Sequence, residues 1–218
     1  MKKQQSYLRT YILLAITLIY TVLVLFVDKK PIGPNGTSVG FAAVNKVFLD
    51  AISYSPLWDK VTDVMLLIAI LTAGFFALMG LLQIVKEKKS FLEVDHVILV
   101  LGVLYLILIV LYVLFDKIPF NYRPVLLPDE SELEASFPST HTLMICTIMG
   151  SAVVAWGELF KYNEGILKIL KIASCAVIVI GVAGRVLAGV HWFTDIIAGV
   201  LFSATLISAY RDTLDKMG

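Results

Sequence analysis

The chain has 218 residues, 59% of them hydrophobic and 16% charged, with a formal net charge of +1. Soluble domains carry about 25% charged residues, so this composition excludes an ordinary soluble fold. Nothing in it suggests nucleic-acid binding, and no zinc spacing, Gly-rich phosphate loop or internal repeat is present. Cys146 and Cys175 both fall in apolar segments and read as small buried hydrophobes rather than a disulfide or a metal pair.

The first nine residues are polar and basic, with Lys2, Lys3 and Arg9, and an uncharged run follows from Tyr11 to Val27. That run exceeds the apolar core of a signal peptide, about 7–15 residues, and no small-residue cleavage site follows it. It reads as an uncleaved first span over residues 10–27. Residues 28–63 form a long loop in which Pro31, Gly33, Pro34 and Asn35-Gly36 mark turns. Val44, Val47, Phe48, Ala51 and Ile52 then recur at helical spacing, with the interface-favouring Tyr54 and Trp58 after them. One or two short helices are expected there. They either lie on the bilayer surface or pack against the outer ends of a bundle.

Five further spans are expected at residues 64–85, 97–115, 138–160, 169–189 and 191–210, making one all-α domain of six transmembrane helices over residues 1–218. His96 opens the third span as an interfacial polar residue. The acidic run Asp129, Glu130, Glu132 and Glu134 reads as a solvated face. Six spans put both termini on one side. The basic N-terminus, the 86–93 loop with Lys86, Lys88 and Lys89, the 161–171 loop and the tail at Arg211 and Lys216 fall together. By the positive-inside rule that side is cytoplasmic. The 28–63 loop, the 116–137 loop and the 185–195 turn then share the outer face.

That face holds every residue that looks chemical. Gly181 to Asp195 reads GVAGRVLAGVHWFTD, an arginine, a histidine and an aspartate in a nearly charge-free region. Ionisable groups at a bilayer are expensive and mark functional sites. If a helix starts near His191, His191 and Asp195 lie one turn apart on one face. The carboxylate can then hold one imidazole N–H and free the other nitrogen. Arg185 offers a planar charge suited to phosphate. Pro138-Ser139-Thr140-His141 opens the fourth span, and Lys117 and Arg123-Pro124 precede it. Pro138 suits a first helical turn, which leaves the backbone N–H groups of Thr140 and His141 facing an anion. The Ser139 hydroxyl adds a donor.

The three blocks together resemble the type-2 phosphatidic acid phosphatase superfamily of lipid phosphate phosphatases, whose signature is K-x6-R-P, P-S-G-H and S-R-x5-H-x3-D. The chain departs from it three times: Asp116 takes the usual lysine position with Lys117 one residue late, Thr140 replaces the glycine, and Gly184 replaces the serine. The resemblance implies that His191 is a nucleophile forming a phosphohistidine, Asp195 orients it, and His141 protonates the leaving group and then activates water. It implies that Lys117, Arg123, Ser139, Thr140 and Arg185 bind the phosphate. Lys117 is expected to reach it, because one residue of shift moves the backbone only about 3.3–3.6 Å. No metal and no cofactor is expected.

Two histidines and Asp195 could instead hold a metal, but three basic side chains at the same place would repel a cation. A transporter would carry its ionisable groups near the midplane, and a purely structural membrane protein would not need the basic cluster. The soluble vanadium haloperoxidases of the same superfamily lack such spans. The compact six-span layout looks like that of bacterial phosphatidylglycerophosphatase B. The expected substrate is therefore phosphatidylglycerol phosphate, taken from the bilayer at the outer face of a plasma membrane. Undecaprenyl pyrophosphate is the main alternative, followed by phosphatidic acid and diacylglycerol pyrophosphate.

Overall fold

The computed structural model describes residues 7–88, 90–127 and 130–217. Lys2, Lys3, Lys89 and Asp129 of the charge reading lie outside the described residues. Among the described residues the chain folds into α1 (Leu8–Phe26), α2 (Ala42–Ala51), α3 (Pro56–Val85), α4 (His96–Lys117), α5 (Thr140–Leu159), α6 (Glu164–Ala188) and α7 (Phe193–Met217), with no strand. All but α2 are long and apolar enough to cross a membrane, and the protein is a multi-pass, all-α membrane protein.

The two least apolar spans, α5 and α7, are the two most buried in the bundle. The most apolar helix, α4, has a mean hydropathy of 3.2 and lies mostly at the surface, whereas α5, at 1.5, is the most buried. Lipid rewards apolar faces, while a helix enclosed by others can carry small and polar residues that bond to neighbours. Accordingly α5 and α7 form the centre. Thr147 Oγ1 donates to Ser203 Oγ at 3.1 Å between them. Gly199 lets the two backbones approach, since a Cβ there would sit 2.9 Å from Thr142 Cβ. α6 packs on α5 and α3, and α1 packs on α7. Cys146 is buried, but Cys175 is exposed on α6, contrary to the sequence expectation, because that helix turns an apolar face outward.

Two of the spans, α3 and α7, differ clearly from expectation. α3 starts at Pro56, eight residues before the expected span. Ser55 caps it, Pro56 takes the first position, and Asp59 sits in the first turn, where a negative charge suits the helix dipole. Thirty residues make a helix of about 45 Å, longer than a hydrocarbon core of about 30 Å. The excess length leaves room for its charged first turns, with Asp59, Lys60 and Asp63, to extend beyond the apolar layer. α7 begins at Phe193, two residues after His191, and runs past residue 210 to Met217. α2 follows the second of its two expected arrangements and is docked on the bundle: Phe48 stacks on Phe193 with centroids 3.8 Å apart, and the buried Asn45 Oδ1 accepts the Thr194 N–H at 3.2 Å, helping cap α7.

The chain alternates direction through its six spans. The C-terminal ends of α1, α4 and α6 therefore meet the N-terminal ends of α3, α5 and α7 at one end of the bundle. That end, called outer below, contains all three sequence blocks.

Candidate active site

α6 closes at Gly189, whose φ of +68° is left-handed and whose Cβ, if present, would meet the Ser53 carbonyl at 3.0 Å. Only glycine fits such a turn without strain. The turn delivers Val190, His191 and Trp192 to the outer end, and Trp192 Nε1 donates to the Tyr122 carbonyl at 2.7 Å. His191 is 7% exposed. Its Nδ1 lies 3.1 Å from the Ser136 carbonyl oxygen and 3.0 Å from the Ser136 hydroxyl. A carbonyl only accepts, so Nδ1 carries the proton and Nε2 keeps its lone pair. Nε2 is buried and has no hydrogen-bond partner among the described residues. Burial, and then the charges of Arg185, Arg123 and His141, hold the His191 pKa well below its usual range. The ring is neutral at pH 7.

Asp195 does not pair with His191 in the way the spacing suggested. His191 lies before the start of α7, outside helical register. The Asp195 carboxylate, fully buried, accepts instead from Asn121 Nδ2 at 3.0 Å, and its other oxygen has no partner. The Ser136 hydroxyl lies against both His191 Nδ1 and the Asp195 carboxylate and links them. Sequence reasoning missed Ser136 and Asn121. Their only signal was proximity to the blocks: each lies two residues before a motif residue, Pro138 and Arg123 respectively.

The loop between α4 and α5 is held as a narrow hairpin. Tyr122 bridges Ala135, the Arg123 N–H donates to the Glu134 carbonyl at 3.0 Å, and the Ser136 N–H donates to the Asn121 carbonyl at 2.9 Å. This pairing turns Arg123 inward, with its Nε buried and unpartnered and its NH2 on Glu134. The acidic run is thus not simply a solvated face. Glu134 is the counter-ion of Arg123, and burial together with the neighbouring Glu134 pushes the Glu130 carboxyl above its usual range.

Ser139, fully buried, caps α5: its Oγ accepts from the Thr142 N–H and from Thr142 Oγ1 at 3.0 Å, and its own N–H donates to the Asp195 carbonyl at 2.9 Å. Pro138 therefore precedes the cap rather than occupying the first turn. Thr140 and His141 are the first helical residues, whose N–H groups have no carbonyl four residues back. Both line a cavity of about 360 Å³ with Asp116, Arg123 and Glu134; its apolar wall is Leu66 and Ile70 of α3 and Tyr112 and Phe115 of α4. His191 borders a separate pocket of about 20 Å³, room for a single water. Lys117 is not brought to the large cavity. It ends α4 with its side chain 76% exposed and pairs with Asp116 at 3.1 Å, so Asp116 is the one that faces the cavity.

Arg185 is 1% exposed and turned toward α3. Its NH1 donates to Asp59 Oδ1 at 2.6 Å and to Thr62 Oγ1 at 3.1 Å, while Nε is buried without a partner. His141 Nε2 lies 3.0 Å from Asp63 Oδ1. Asp59, Thr62 and Asp63 were read as loop residues, because the charges there masked the start of α3.

The arrangement gathers a neutral imidazole with a free nitrogen, a second imidazole, the buried Arg185 and partly buried Arg123 guanidinium groups and a pair of free helix N–H groups. Such a set suits an anionic phosphoryl group. The family model of the PAP2 superfamily matches residues 98–216, more than half of the chain. No curated protein matches. The fold is similar to the crystal structure of a transmembrane PAP2-type phosphatidylglycerolphosphate phosphatase from Bacillus subtilis. The TM-score is 0.63 and the identity 18%, over 96% of this chain and 97% of that one; at that identity the likeness shows the fold. With the motif blocks assembled at one end of this bundle, the chain belongs to the PAP2 superfamily.

Proposed function

We propose that the protein is a membrane lipid phosphatase that hydrolyses the phosphomonoester of phosphatidylglycerol phosphate through a phosphohistidine. The observation that carries the reading is the buried, neutral His191, whose unpartnered Nε2 lies within reach of the charges of Arg185, Arg123 and His141. Nε2 attacks phosphorus and the bond to the lipid oxygen breaks. His141 gives that oxygen its proton, releasing the lipid alcohol. The ring, with Nδ1–H retained, becomes positive, and the buried Asp195 carboxylate opposes that charge through Ser136. His141 then takes a proton from water, the hydroxide attacks phosphorus, and the P–N bond breaks to return neutral His191. Arg123, Arg185 and the N–H groups of Thr140 and His141 hold the non-bridging oxygens as charge develops. Ser139 supports this set from the cap of α5. The cavity wall between α3 and α4 supports a substrate drawn from the bilayer.

Mixing the purified protein with lipid labelled in the terminal phosphate, then quenching, should trap an acid-labile, alkali-stable phosphate on residue 191. Label appearing elsewhere overturns the mechanism. A parallel assay of phosphatidylglycerol phosphate, undecaprenyl pyrophosphate, phosphatidic acid and diacylglycerol pyrophosphate in detergent decides the lipid. Turnover should survive excess EDTA; loss restored by one metal points to a metal hydrolase instead.

The positive-inside pattern supports cytoplasmic termini and an extracytoplasmic site. In an active cysteine-free background, an impermeant thiol reagent on intact cells should label Glu132→Cys and spare Lys88→Cys. The reverse pattern inverts the topology.

A further inference from the structure

We propose that Asp59 and Asp63, one turn apart at the outer end of α3, are positioning residues: Asp59 sets the Arg185 guanidinium and Asp63 sets the His141 imidazole. The inference rests on the roles given above to His141 and Arg185. Neither aspartate belongs to the three sequence blocks.

Residues four apart on a helix share a face, and two like charges so placed repel. Here each carboxylate has its own basic partner, Asp59 Oδ1 on Arg185 NH1 at 2.6 Å and Asp63 Oδ1 on His141 Nε2 at 3.0 Å. An acid in a first helical turn has an ordinary use in complementing the dipole. That use does not require contact with an arginine 1% exposed, nor does it extend to Asp63 in the second turn. Asp59 and Thr62 both accept from the same NH1. A guanidinium is a rigid planar fork, so fixing one nitrogen fixes the plane, and the buried, unpartnered Nε–H remains for a phosphoryl oxygen. A carboxylate on one imidazole nitrogen likewise fixes the ring plane and leaves the other nitrogen for the reaction.

The chain's own departure from the family signature serves this contact. Gly184 stands where the signature has serine. A Cβ at 184 would lie 2.7 Å from Thr62 Cγ2 and 3.5 Å from the Trp58 ring. Without a side chain there, α6 comes close enough to α3 for Arg185 to reach Asp59 and Thr62.

The two positions separate kinetically. A lipid alkoxide needs protonation to leave, whereas 4-nitrophenolate leaves without much help. Asp63→Asn should lower kcat/KM about 10- to 100-fold on the lipid phosphate and less than about threefold on 4-nitrophenyl phosphate, the selectivity also expected of His141→Ala. Asp63→Glu should recover part of the loss. The Asp63 side chain is 61% exposed, so its replacement strands no buried charge. Asp59→Asn should lower kcat/KM about 10-fold on both substrates and weaken inhibition by vanadate in parallel, because Arg185 serves the phosphoryl group common to them. If Asp59→Asn does not fold, Thr62→Val removes the second anchor of the same nitrogen and should show the same pattern in smaller degree. His141→Ala with the selectivity and Asp63→Asn without it overturns the Asp63 assignment. Equal vanadate inhibition of parent, Asp59→Asn and Thr62→Val overturns the Asp59 assignment. His141→Ala at the parent's lipid rate overturns the mechanism itself, and the inference with it.

Discussion

An arginine–aspartate cluster stands at each end of the bundle, and the two are finished differently. At the inner end Arg9 donates through NH2 to Asp212 at 2.6 Å and through Nε to Ser208 Oγ at 3.0 Å; Thr10 Oγ1 contacts Asp212 Oδ2 at 2.6 Å and Ser208 Oγ at 3.0 Å. The cluster closes on itself and ties α1 to α7. At the outer end Arg185 meets Asp59 and Thr62 but keeps Nε bare. Among the described residues, the buried side-chain atoms without a partner are Arg123 Nε, Glu130 Oε2, Arg185 Nε, His191 Nε2 and Asp195 Oδ2, all at the outer end. Buried polar atoms are normally satisfied, and an exception needs a reason. A closed network rigidifies a fold, whereas an open one that keeps two guanidinium N–H donors and a free imidazole nitrogen is shaped for an anion that arrives later.

Removing the reacting groups at the open end should therefore stop turnover without unfolding the bundle. His191→Ala, His141→Ala and Asp195→Asn are each expected to lower kcat at least about 100-fold while the protein still elutes as a folded species in detergent. His191→Ala with near-parent kcat breaks the comparison at its centre. The same histidine has a pH signature. An unfolded histidine titrates near 6.5, whereas folded His191 titrates well below that value. Between the two values the unfolded chain binds a proton that the folded one refuses, so stability falls as pH drops through that window. Melting in detergent at pH 7.5 and 5.5 should show a larger drop for the parent than for His191→Gln. Equal drops mean that residue 191 is protonated in both states.

The link between Asp195 and His191 gives a smaller effect. Ser136→Ala leaves the backbone carbonyl that holds Nδ1–H but removes the hydroxyl between ring and carboxylate. A loss of roughly 10-fold in kcat/KM is expected, the size of one hydrogen bond to a charged group. An unchanged value assigns the positioning of His191 to the carbonyl alone.

The six spans, the three motif blocks and their gathering at one end of the bundle were legible in the sequence, because bilayer thickness and an even number of alternating spans leave a coarse imprint. What escaped was set by contacts between distant segments. The start of α3 was hidden because charges near residue 60 look like loop. They are helical because Ser55 and Pro56 begin a helix there and Arg185 and His141 neutralise its aspartates. His191 and Asp195 were placed on one helical face, an inference that failed by two residues once Asn45 and Trp192 set where α7 begins. Gly184 read as a loss from the signature, yet it is what admits Thr62 of α3. Ser136 and Asn121 carried no pattern at all, and their use follows from the hairpin that pairs residues 121–123 with 134–136.

Lys117 and Arg123 sharpen the difference between an exposed cation and one that keeps a buried donor free, although each has an acidic partner. Both were expected to bind phosphate. Arg123 faces the cavity with an unpartnered Nε, whereas Lys117 is exposed and paired with Asp116 outside it. Exposed ion pairs contribute about 0–1 kcal/mol. Arg123→Ala should therefore lower kcat/KM about 10- to 100-fold, and Lys117→Ala no more than about threefold. A 10-fold loss on removing Lys117 shows that it swings inward when substrate binds.

The inner cluster should show no activity effect and a clear stability effect. Arg9 and Asp212 stand at the opposite end of the bundle from His191, and their ion pair and side-chain hydrogen bonds lie within the α1–α7 seam. Asp212→Asn keeps the shape of the side chain but weakens its bonds to Arg9 and Thr10. kcat/KM is expected to stay within about twofold of the parent, since no group near the phosphoryl site moves. The melting temperature in detergent should fall, because α1 packs chiefly on α7 and the clasp fastens its inner end. Arg9 is half exposed, so water takes up part of the lost interaction, and the fall should be smaller than for a fully buried pair. A drop in kcat/KM without a drop in melting temperature would reverse the assignment, making the closed cluster part of the working site.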